Sequence, residues 1–361
     1  MARTAMLSKR KLYVCAVLCG VLLFMIASRT VQKGVLPPMP ADNTTARGGA
    51  QHLAAVRFES PPSPTRALNG PCPCSSCVAE IGHSEWFDQR FEPLQQPFLT
   101  AENGSIDPIA LRWWLALQRS ADGLRTEDVI QKMFEVISAP AGGRPPLLKH
   151  CQKCAVVGNS GNLLGSSFGP LIDSHSVVIR MNKAKTAGFE ADVGNRTTHH
   201  FMYPESAVDL GPAVHLVLLP FKLRDLQWVA SALSTGEIKM TYMRVKERVK
   251  ADKDKVIVVN PAFFKYVHDK WTEHHGRYPS TGMLAIIFAL HICDEVSVFG
   301  YGADLQGNWH HYWENNRYAG AFRKTGVHSA EFETKVIQRL STEGKIKLIK
   351  RAMRRAHYLK P

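Results

Sequence analysis

An uncharged apolar run near the N-terminus constrains this chain more than any other feature. Residues 12–28 read LYVCAVLCGVLLFMIAS and follow the basic residues Arg3, Lys9, Arg10 and Lys11. At 1.5 Å per helical residue the run spans roughly 26 Å, close to the roughly 27 Å hydrocarbon layer of early secretory membranes. A cleaved signal peptide is the alternative, but its apolar core is usually about 7–15 residues long and precedes a small-residue cleavage site. The sequence IASRT supplies such a site poorly, so we predict an uncleaved transmembrane anchor.

The charge and composition around this run predict how the rest of the chain is arranged. Positive charge is denser before the run than after it, which places the N-terminus in the cytosol and the body of the chain in the lumen. Residues 1–11 then form a cytosolic tail and residues 12–28 the membrane anchor. Residues 29–70 contain many Pro, Ala, Thr and Gly residues without apolar periodicity, which is typical of an extended stem. Residues 71–361 remain for one luminal domain.

The overall composition fits one large globular domain. The chain has 361 residues, of which 45% are hydrophobic and 21% charged, and this excludes wholesale disorder and a collagen-like repeat. Its 45 Lys and Arg against 31 Asp and Glu give a net charge of +14. Such an excess favours anionic partners, among them phosphates, sialylated or nucleotide ligands, nucleic acid and membrane surfaces. Part of the excess lies in the acid-free stretch 345–361, which we expect to be a solvated surface element.

A luminal body determines how its cysteines and sequons are interpreted. The spacings C-x-C-x2-C and C-x2-C are compatible with zinc ligands or a redox pair, but an oxidising lumen favours three disulfides, with fifteen pairings open. The six luminal cysteines are Cys72, Cys74, Cys77, Cys151, Cys154 and Cys293. Three N-x-[ST] sequons become usable only in the lumen. They predict glycosylation at Asn43, Asn103 and Asn195.

Short apolar segments alternate with helical segments through the body, which predicts an α/β domain with a parallel-rich central sheet. The expected strands are residues 154–157, 176–181, 215–220, 255–259 and 296–300. The expected helices include residues 223–233 and 282–292. This alternation is the basis for the predicted fold class.

Two local patterns indicate anion binding. The first strand runs into the loop 158–162, GNSGN, and a strand that feeds a glycine-rich loop usually serves a phosphate or ribose. The loop matches neither G-x-G-x-x-G nor G-x4-G-K-[ST], so the dinucleotide and ATP-type loops are excluded. The sequence Ser280-Thr281-Gly282 places a hydroxyl N-cap and a flexible glycine at the start of a buried helix. Its N–H groups form either an anion site or a simple cap.

Histidines in the C-terminal part are candidates for acid–base chemistry, because imidazole titrates near neutrality. His310 and His311 lie in the aromatic loop NWHHYWENNRY, and His328 follows in TGVHSAEFE. A zinc site from these two adjacent histidines with His274 and His275 is conceivable. However, adjacent histidines rarely share one metal, and the chain has no H-E-x-x-H motif.

Four segments together resemble the animal sialyltransferase family, in the order that the family shows. CAVVGNSGNL is similar to the start of its long donor-binding motif, and residues 260–300 are similar to its short motif. HHYWENNR resembles the third small motif, and His328-x4-Glu333 resembles the very short motif. The resemblance covers roughly residues 72–350 and is nearest to the β-galactoside α-2,3-sialyltransferases that act on galactosyl-β-1,3-N-acetylgalactosamine (Galβ1-3GalNAc).

The resemblance implies a single luminal catalytic domain of glycosyltransferase-A-like α/β fold behind an N-terminal transmembrane helix. It also implies a single-pass type II protein of the Golgi membrane, which stem proteolysis could release into the secretions. The implied partners are CMP-sialic acid, glycoprotein or glycolipid glycans and the Golgi membrane, with no nucleic acid, and a homodimer is compatible with the family. CMP-sialic acid is the donor substrate, and neither a cofactor nor a metal is expected.

The resemblance further implies a disulfide framework and a set of site residues. The implied disulfides are Cys72–Cys77, Cys74–Cys151 and Cys154–Cys293. The residues implied to surround the nucleotide and the sialyl group are Asn159, Asn182, Tyr242, Ser280, Thr281, Gly282 and Gly302. His311 would contact the donor phosphate, Tyr278 and Gln118 would contact the acceptor galactose, and His328 would be the catalytic base. Glu333 receives no role beyond orienting the His328 segment.

These implications define the expected reaction and its alternatives. We expect an inverting, metal-independent transfer of sialic acid to the galactose 3-hydroxyl, with His328 as base. One alternative is a metal-dependent nucleotide-sugar glycosyltransferase of other specificity that uses Asp252-Lys253-Asp254 as a D-x-D site, although VKADKDK resembles a solvated charged turn. The other is a non-catalytic luminal lectin that binds sialoglycans.

Overall fold

The computed structural model describes residues 74–101, 106–118, 123–138, 151–304, 307–315 and 326–351, all of which belong to one compact unit, Thr65–Pro361. The apolar run 12–28 lies outside these ranges, as do Asn43, Asn103 and Cys72. Among the described residues, no helix is both long and apolar enough to cross a bilayer.

A seven-stranded parallel sheet forms the centre of the domain. Its strands are β1 Lys153–Val157, β2 Val177–Met181, β3 His199–Met202, β4 His215–Leu218, β5 Val256–Val258, β6 Glu295–Phe299 and β7 Lys347–Ile349. They are arranged in the order β5-β4-β3-β2-β1-β6-β7, and every neighbouring pair is parallel. The predicted α/β class and parallel-rich sheet are thus confirmed. β1 begins one residue earlier than expected, and the other expected strands are shifted or shortened at their ends.

Helices connect the strands and cover the sheet. The α-helices are α1 Glu85–Asp88, α2 Pro108–Leu117, α3 Thr126–Phe134, α4 Gly169–Asp173, α5 Glu190–Val193, α6 Leu223–Ala232, α7 Pro261–Tyr266, α8 Thr281–Ile292 and α9 Ala330–Thr342. Short 3-10 turns occupy Gly161–Leu163, Pro204–Ser206 and Lys253–Lys255, and a π-helical turn at Val267–Trp271 continues α7. The predicted helices 223–233 and 282–292 correspond to α6 and α8.

The central helix α8 is buried because its sequence is apolar on every side. Residues 283–291 of this helix are all buried, and residues 283–290 share a core cluster with apolar side chains of β1, β2 and β6. A helix without a polar face is stable only inside a domain. A second core cluster joins α2, α3 and α6 to β4 and β5. The two clusters hold the strand ends in fixed positions.

Disulfides join the first strand and its preceding segment to distant parts of the fold. Cys154 of β1 is bonded to Cys293 at the end of α8, and Cys74 is bonded to Cys151. These two predicted pairs are confirmed. Cys77 is disulfide-bonded as well.

In the described part of the basic C-terminal stretch, residues 345–351, Lys345 is not solvated as the charge predicted, whereas Lys347, Lys350 and Arg351 are exposed. Lys345 is buried, and its ammonium donates hydrogen bonds to the carbonyls of Val78 (3.2 Å) and Glu80 (2.6 Å) and lies 4.4 Å from the centre of the Phe87 ring. The next residues form the edge strand β7 beside β6. Backbone carbonyls and an aromatic face compensate for the buried charge of Lys345. Neither contact can be recognised from the local sequence.

Strand β3 was not predicted from the sequence. It begins with two adjacent histidines and so lacks the apolar run that marked the predicted strands. The His199 ring stacks on that of His215 in β4, with ring centres 4.7 Å apart and planes at 10°. Burial, reinforced by the neighbouring His215, lowers the pKa of His199 to about 3. His199 is therefore neutral at physiological pH, and a neutral imidazole fits inside a sheet where a charged one would not.

Candidate active site

A cavity of about 310 Å³ lies at the carboxyl ends of the central strands. The chain adds β2 to β5 on one side of β1 and places β6 and β7 on the other side. The strand order therefore reverses at β1, and in parallel α/β sheets such a reversal opens a crevice where ligands bind. The lining residues are Gly158, Asn159, Ser160, Met181, Ser280, Gly300, Tyr301, Gly302, Trp309, His310, His311, His328, Ala330, Glu333, Thr334 and Ile337.

The floor of the cavity depends on a close approach between the loops that follow β1 and β6. A Cβ atom on Gly158 would lie 2.3 Å from the carbonyl oxygen of Gly300. The backbone N–H of Ser160 donates a hydrogen bond to that same carbonyl (3.1 Å). Any side chain at position 158 would therefore separate the two loops. The glycine-rich pattern is thus explained by backbone packing at the strand ends.

Two asparagines at neighbouring strand ends carry buried amide oxygens. Asn159 follows β1, and its side-chain N–H donates a hydrogen bond to the carbonyl of Met181 (3.1 Å). Asn182 follows β2 with a φ of 56°, and its backbone carbonyl accepts a hydrogen bond from His200 Nε2 (2.7 Å). Neither amide oxygen has a hydrogen-bond partner among the described residues. Buried polar atoms rarely stay unpaired, so both oxygens are suited to a ligand.

His311 is held against the first strand by its backbone. It forms an isolated β-bridge with Ser160, and the N–H of Tyr312 donates to the carbonyl of Asn159 (3.1 Å). The imidazole stacks on the Trp313 ring with centres 4.5 Å apart, and its Nδ1 hydrogen-bonds Glu314 Oε1 (2.9 Å). Because a carboxylate only accepts, Nδ1 carries a proton in this contact. Glu314 therefore fixes the orientation of His311, a role that the sequence did not indicate.

His328, which also lines the cavity, is placed by a second bridge. It pairs with Gly276, and its Nδ1 donates a hydrogen bond to the carbonyl of Tyr278 (2.9 Å). That tautomer leaves the lone pair on Nε2. Burial lowers the pKa of His328 despite the opposing effect of this hydrogen bond. The imidazole is therefore neutral at physiological pH, which is the state that a general base needs.

Glu333 connects the His328 segment to the start of α8. Its carboxylate accepts hydrogen bonds from the backbone N–H (2.8 Å) and the hydroxyl (2.5 Å) of Ser280, whose oxygen caps the N–H of Met283 (3.1 Å). Burial raises the pKa of Glu333 to about 7. The predicted N-cap is present, but a carboxyl group of the protein occupies part of the predicted anion site. Glu333 thus joins the His328 segment to the start of α8, whereas the sequence predicted for it only a role in orienting that segment.

The other predicted residues at this helix start pack closely together. Thr281 is the first residue of α8, and the carbonyl of Gly282 accepts a hydrogen bond from the Tyr301 hydroxyl (3.0 Å). A Cβ on Gly282 would lie 2.9 Å from the Tyr301 ring. Gly282 is thus required for close packing, which corrects the expectation of a flexible glycine. Gly302 does adopt a positive φ, of 91°, and lines the cavity.

Gln118, Tyr278 and Tyr242 are not among the residues of the cavity wall, and neither are Asn182, Thr281 and Gly282. Gln118 hydrogen-bonds the side chain of Tyr278, whose ring meets that of His328 edge to face at 5.1 Å. Tyr242 is 65% exposed, and its ring lies 4.9 Å from the Lys222 ammonium. The predicted acceptor residues Gln118 and Tyr278 therefore adjoin the predicted base. Tyr242 stands apart from the other residues predicted to surround the donor.

A buried ion cluster supports this aromatic side of the site. The Lys222 ammonium lies 3.0 Å from Glu205 Oε1 and 2.7 Å from Asp225 Oδ1, and all three side chains are almost fully buried. Burial raises the pKa of Asp225 to about 7, although Lys222 opposes the shift. The cluster fixes the ammonium under the Tyr242 ring. Glu205 lies 17 residues before Lys222, Asp225 follows Lys222 by three, and the three residues match no motif, so the sequence did not reveal the cluster.

The two metal arrangements considered from the sequence are not assembled at this cavity. Asp252 caps a 3-10 turn that immediately precedes β5. The D-x-D triplet therefore lies at the amino ends of the strands, the edge opposite the cavity. Within the described part of the chain, His274, His275, His310 and His311 do not form a common ligand cluster.

Comparisons with known proteins agree with this geometry. The family model "Glycosyltransferase family 29 (sialyltransferase)" matches residues 98–345. The chain is 56% identical over 279 residues to CMP-N-acetylneuraminate-beta-galactosamide-alpha-2,3-sialyltransferase 2 of Rattus norvegicus, covering 77% of this chain and 79% of the rat protein. It is 53% identical over 283 residues to the corresponding sialyltransferase 1 of Homo sapiens, covering 78% and 83%.

Solved structures show the same likeness. The crystal structure of a mammalian sialyltransferase superposes with a TM-score of 0.72 at 49% identity, covering 79% of this chain and all of that chain. The structure of a mammalian sialyltransferase in complex with Gal-beta-1-3GalNAc-ortho-nitrophenol gives the same TM-score and identity over 78% of this chain and all of that one.

Proposed function

The chain belongs to glycosyltransferase family 29, the sialyltransferases, and we propose that it transfers sialic acid from CMP-sialic acid to the galactose 3-hydroxyl of Galβ1-3GalNAc. The observation that carries this proposal is the presence of His311 and His328 in the wall of one cavity at the strand ends. The donor chemistry and the acceptor are those named for its relatives, one of which is solved with a Gal-beta-1-3GalNAc compound. Glycoprotein and glycolipid glycans are the proposed acceptors.

The chemistry follows from the different surroundings of the two histidines. Nε2 of His328 takes the proton of the galactose 3-hydroxyl as that oxygen attacks the anomeric carbon of the donor. CMP leaves from the opposite face, so the β-linked donor gives an α-linked product. The neutral imidazole of His328 suits this task.

His311 and the buried asparagines are placed to hold the donor. Negative charge grows on the CMP phosphate as its bond to the sugar breaks. Since the Nδ1–H of His311 is bonded to Glu314, the stabilising donor would be the Nε2–H of the protonated ring. Asn159 and Asn182 would accept hydrogen bonds from the nucleotide through their buried oxygens. Since His311 stabilises the leaving group, the proposed reaction needs no metal, and the D-x-D triplet at the opposite edge has no part in it.

The remaining predicted residues receive supporting roles. Ser280, Thr281, Gly282 and Gly302 would shape the donor side, with Glu333 holding Ser280 in place. Gln118 and Tyr278 would bind the acceptor galactose next to His328. Tyr242, exposed on the same side as Tyr278, is better placed to meet the acceptor than the nucleotide.

We also propose that this domain is presented from a membrane. Residues 12–28 would anchor the chain in the Golgi membrane with the catalytic domain in the lumen, residues 1–11 would be cytosolic, and residues 29–70 would form the stem. The support is the uncharged apolar run with basic residues before it. Asn195 is exposed and would be glycosylated in that compartment.

Transfer of labelled sialic acid by the purified full-length chain tests the proposed activity. We expect transfer to Galβ1-3GalNAc, weaker transfer to Galβ1-4GlcNAc, and retention of activity in excess EDTA. His328→Ala serves as the control that loses transfer. Activity that EDTA abolishes and manganese restores would support a metal-dependent transferase instead. Glycan binding without turnover would support a lectin.

A further inference from the structure

A group of metal-ligand side chains lies outside the cavity, beside the π-helical turn Val267–Trp271. His268 and Asp269 belong to this turn, and His274 follows it. One ligand atom from each of the three residues lies within 4.8 Å of the others. A second such group, Cys74, Cys151 and Glu295, offers no thiolate because its cysteines form a disulfide. The three residues of the first group are therefore the candidate ligands.

Two of the three ligand-atom distances in the first group are close to those of a tetrahedral metal site. Asp269 Oδ1 lies 3.5 Å from His268 Nδ1 and 3.4 Å from His274 Nδ1. Zinc bonds to nitrogen and carboxylate oxygen of about 2.0–2.1 Å separate tetrahedral ligands by roughly 3.3 Å. Two edges of the tetrahedron are thus already formed.

The protonation pattern leaves two acceptor atoms facing each other. His268 is 6% exposed, and its Nε2 contacts the carbonyl oxygen of Gly276 (3.3 Å). Because a carbonyl only accepts, Nε2 carries the proton and Nδ1 the lone pair. Neither His268 Nδ1 nor Asp269 Oδ1, both buried, has a hydrogen-bond partner in the described residues. A cation between them would satisfy both atoms.

The surroundings match those of metal ligands. A ligating histidine usually donates its second ring N–H to a carbonyl or carboxylate, as His268 does to Gly276. A ligating carboxylate is usually held by a further group, and Lys265 forms an ion pair with the other oxygen of Asp269. Such π-helical turns are rare and frequently mark functional sites.

His274 completes the group from the solvent side. It has a φ of 61°, and its side chain is 69% exposed. This position gives an ion a path to the buried pair and leaves a fourth position open to water. The adjacent His275 turns away, because its ring stacks on Phe332 at 3.7 Å and its Nδ1 contacts the Thr272 carbonyl.

We propose that His268, Asp269 and His274 bind one divalent transition-metal ion of the zinc type. The ion would act on structure, not on sialyl transfer. His268 contacts the carbonyl of Gly276, and Gly276 pairs with His328. Metal at this site would therefore stabilise the segment that positions His328 and Tyr278.

Metal titration of the full-length chain, freed of any affinity tag and stripped with EDTA before dialysis, tests this proposal. Calorimetry with Zn²⁺ should find one site per chain, and Co²⁺ should give the visible absorption of a four-coordinate nitrogen and oxygen site. Mutating a residue that hydrogen-bonds a metal ligand typically lowers metal affinity by roughly 10–100-fold. Removing a ligand itself should lower the Zn²⁺ affinity by at least as much. His274→Ala, at an exposed position that keeps the fold, should show that loss.

Two further variants separate ligation from folding. Asp269→Asn should also lose Zn²⁺ affinity, whereas His275→Phe, which keeps the stack on Phe332, should bind Zn²⁺ like the unchanged chain. Zn²⁺ should raise the melting temperature of the unchanged chain and of His275→Phe, but not of His274→Ala. Absence of Zn²⁺ binding, or equal affinity in the unchanged chain and His274→Ala, would overturn the proposal.

Discussion

At the scale of single residues, the two cavity histidines differ in the group that holds their Nδ1 proton. His311 donates to the carboxylate of Glu314, and His328 donates to a backbone carbonyl. His328 is buried and bonded to a neutral group, which favours the neutral imidazole of a base, whereas His311 contacts a carboxylate that orients its ring. The local structure therefore supports the division of roles that the proposed reaction requires.

Replacing each histidine by alanine should separate these roles. His328→Ala should lower kcat by roughly 10²–10⁴ and leave CMP affinity nearly unchanged, because a base acts on the acceptor hydroxyl. His311→Ala should weaken CMP binding and also slow transfer, because the phosphate contact strengthens toward the transition state. Calorimetry with CMP and initial-rate kinetics measure both effects. Loss of CMP binding in folded His328→Ala, with normal binding in His311→Ala, would show that the roles are wrongly assigned.

Glu333 should make the stability of the domain depend on pH. Its pKa is raised from 4.5 to about 7 by burial, so the folded state binds its proton more tightly than the unfolded state. Its contribution is therefore fully present below about pH 4.5 and is lost as pH rises through about 7. Burial also raises the pKa of Asp225, so its contribution to stability changes with pH in the same direction.

The variant Glu333→Gln isolates this contribution, because the amide keeps an acceptor for the Ser280 N–H and has no proton to lose. Between about pH 5 and pH 8, the unchanged chain should lose roughly 2 kcal/mol more unfolding free energy than the variant, at about 1.4 kcal/mol per pKa unit. Urea unfolding at the two pH values measures the difference. Parallel pH dependence of the two proteins would contradict the assigned titration.

Sequence patterns identified residues whose partners are local or whose motif is long. Ser280 was found because an N-cap is a short-range signal, and His328 because its motif resembles that of a family. The contacts of Glu333 with Ser280 and of Lys222 with Glu205 depend on which segments the fold brings together, and burial, as at Asp225, depends on the whole fold. Asp225, for example, looks like any acidic residue at a helix start, and only its burial beside Lys222 and Glu205 shows its role.

At the scale of elements, strands with apolar sequences were predictable and strands with charged or imidazole side chains were not. β1 and β6 consist mainly of apolar residues and are buried, as the sequence indicated. β3 begins with two histidines, and β7 lies in a basic stretch. Both strands exist because the sheet offers them a neighbour, which is a tertiary effect that local propensity does not contain.

Loss of the Cys154–Cys293 disulfide should lower the stability of the domain by more than the chain-entropy effect of a disulfide alone. It joins β1, which leads into the Gly158 loop, to the end of α8, which begins at the Ser280 cap. Replacing both cysteines by alanine should therefore lower unfolding free energy by more than the about 2–4 kcal/mol of a typical disulfide and also weaken CMP binding.

The Cys74–Cys151 pair provides the matched control. Both of its cysteines precede β1, so its removal should lower stability but change CMP affinity less. Urea unfolding and CMP calorimetry compare the two double variants. Equal effects of the two double variants on CMP affinity would argue against a special role for Cys154–Cys293. Non-reducing peptide mapping that finds Cys154 and Cys293 as free thiols would exclude that role.

At the scale of the whole molecule, the catalytic domain should fold without the anchor and stem. The described residues begin at Cys74, and the six cysteines outside the apolar run all follow residue 70. A secreted fragment that starts at Gly70 should therefore be monodisperse and transfer sialic acid at a rate close to that of the full-length chain. Size-exclusion chromatography and the transfer assay test this boundary. Secretion of the fragment as an inactive aggregate would show that the stem contributes to the fold.

The linkage and anomeric configuration of the product test the proposed reaction most directly. The full-length chain would be incubated with CMP-sialic acid and Galβ1-3GalNAc, and the purified trisaccharide would be analysed by nuclear magnetic resonance. Direct displacement assisted by His328 predicts sialic acid in α configuration on the 3-hydroxyl of the galactose. A β-linked product, or sialic acid attached to the galactose 6-hydroxyl or to the N-acetylgalactosamine, would contradict that reaction and the position of His328 in it.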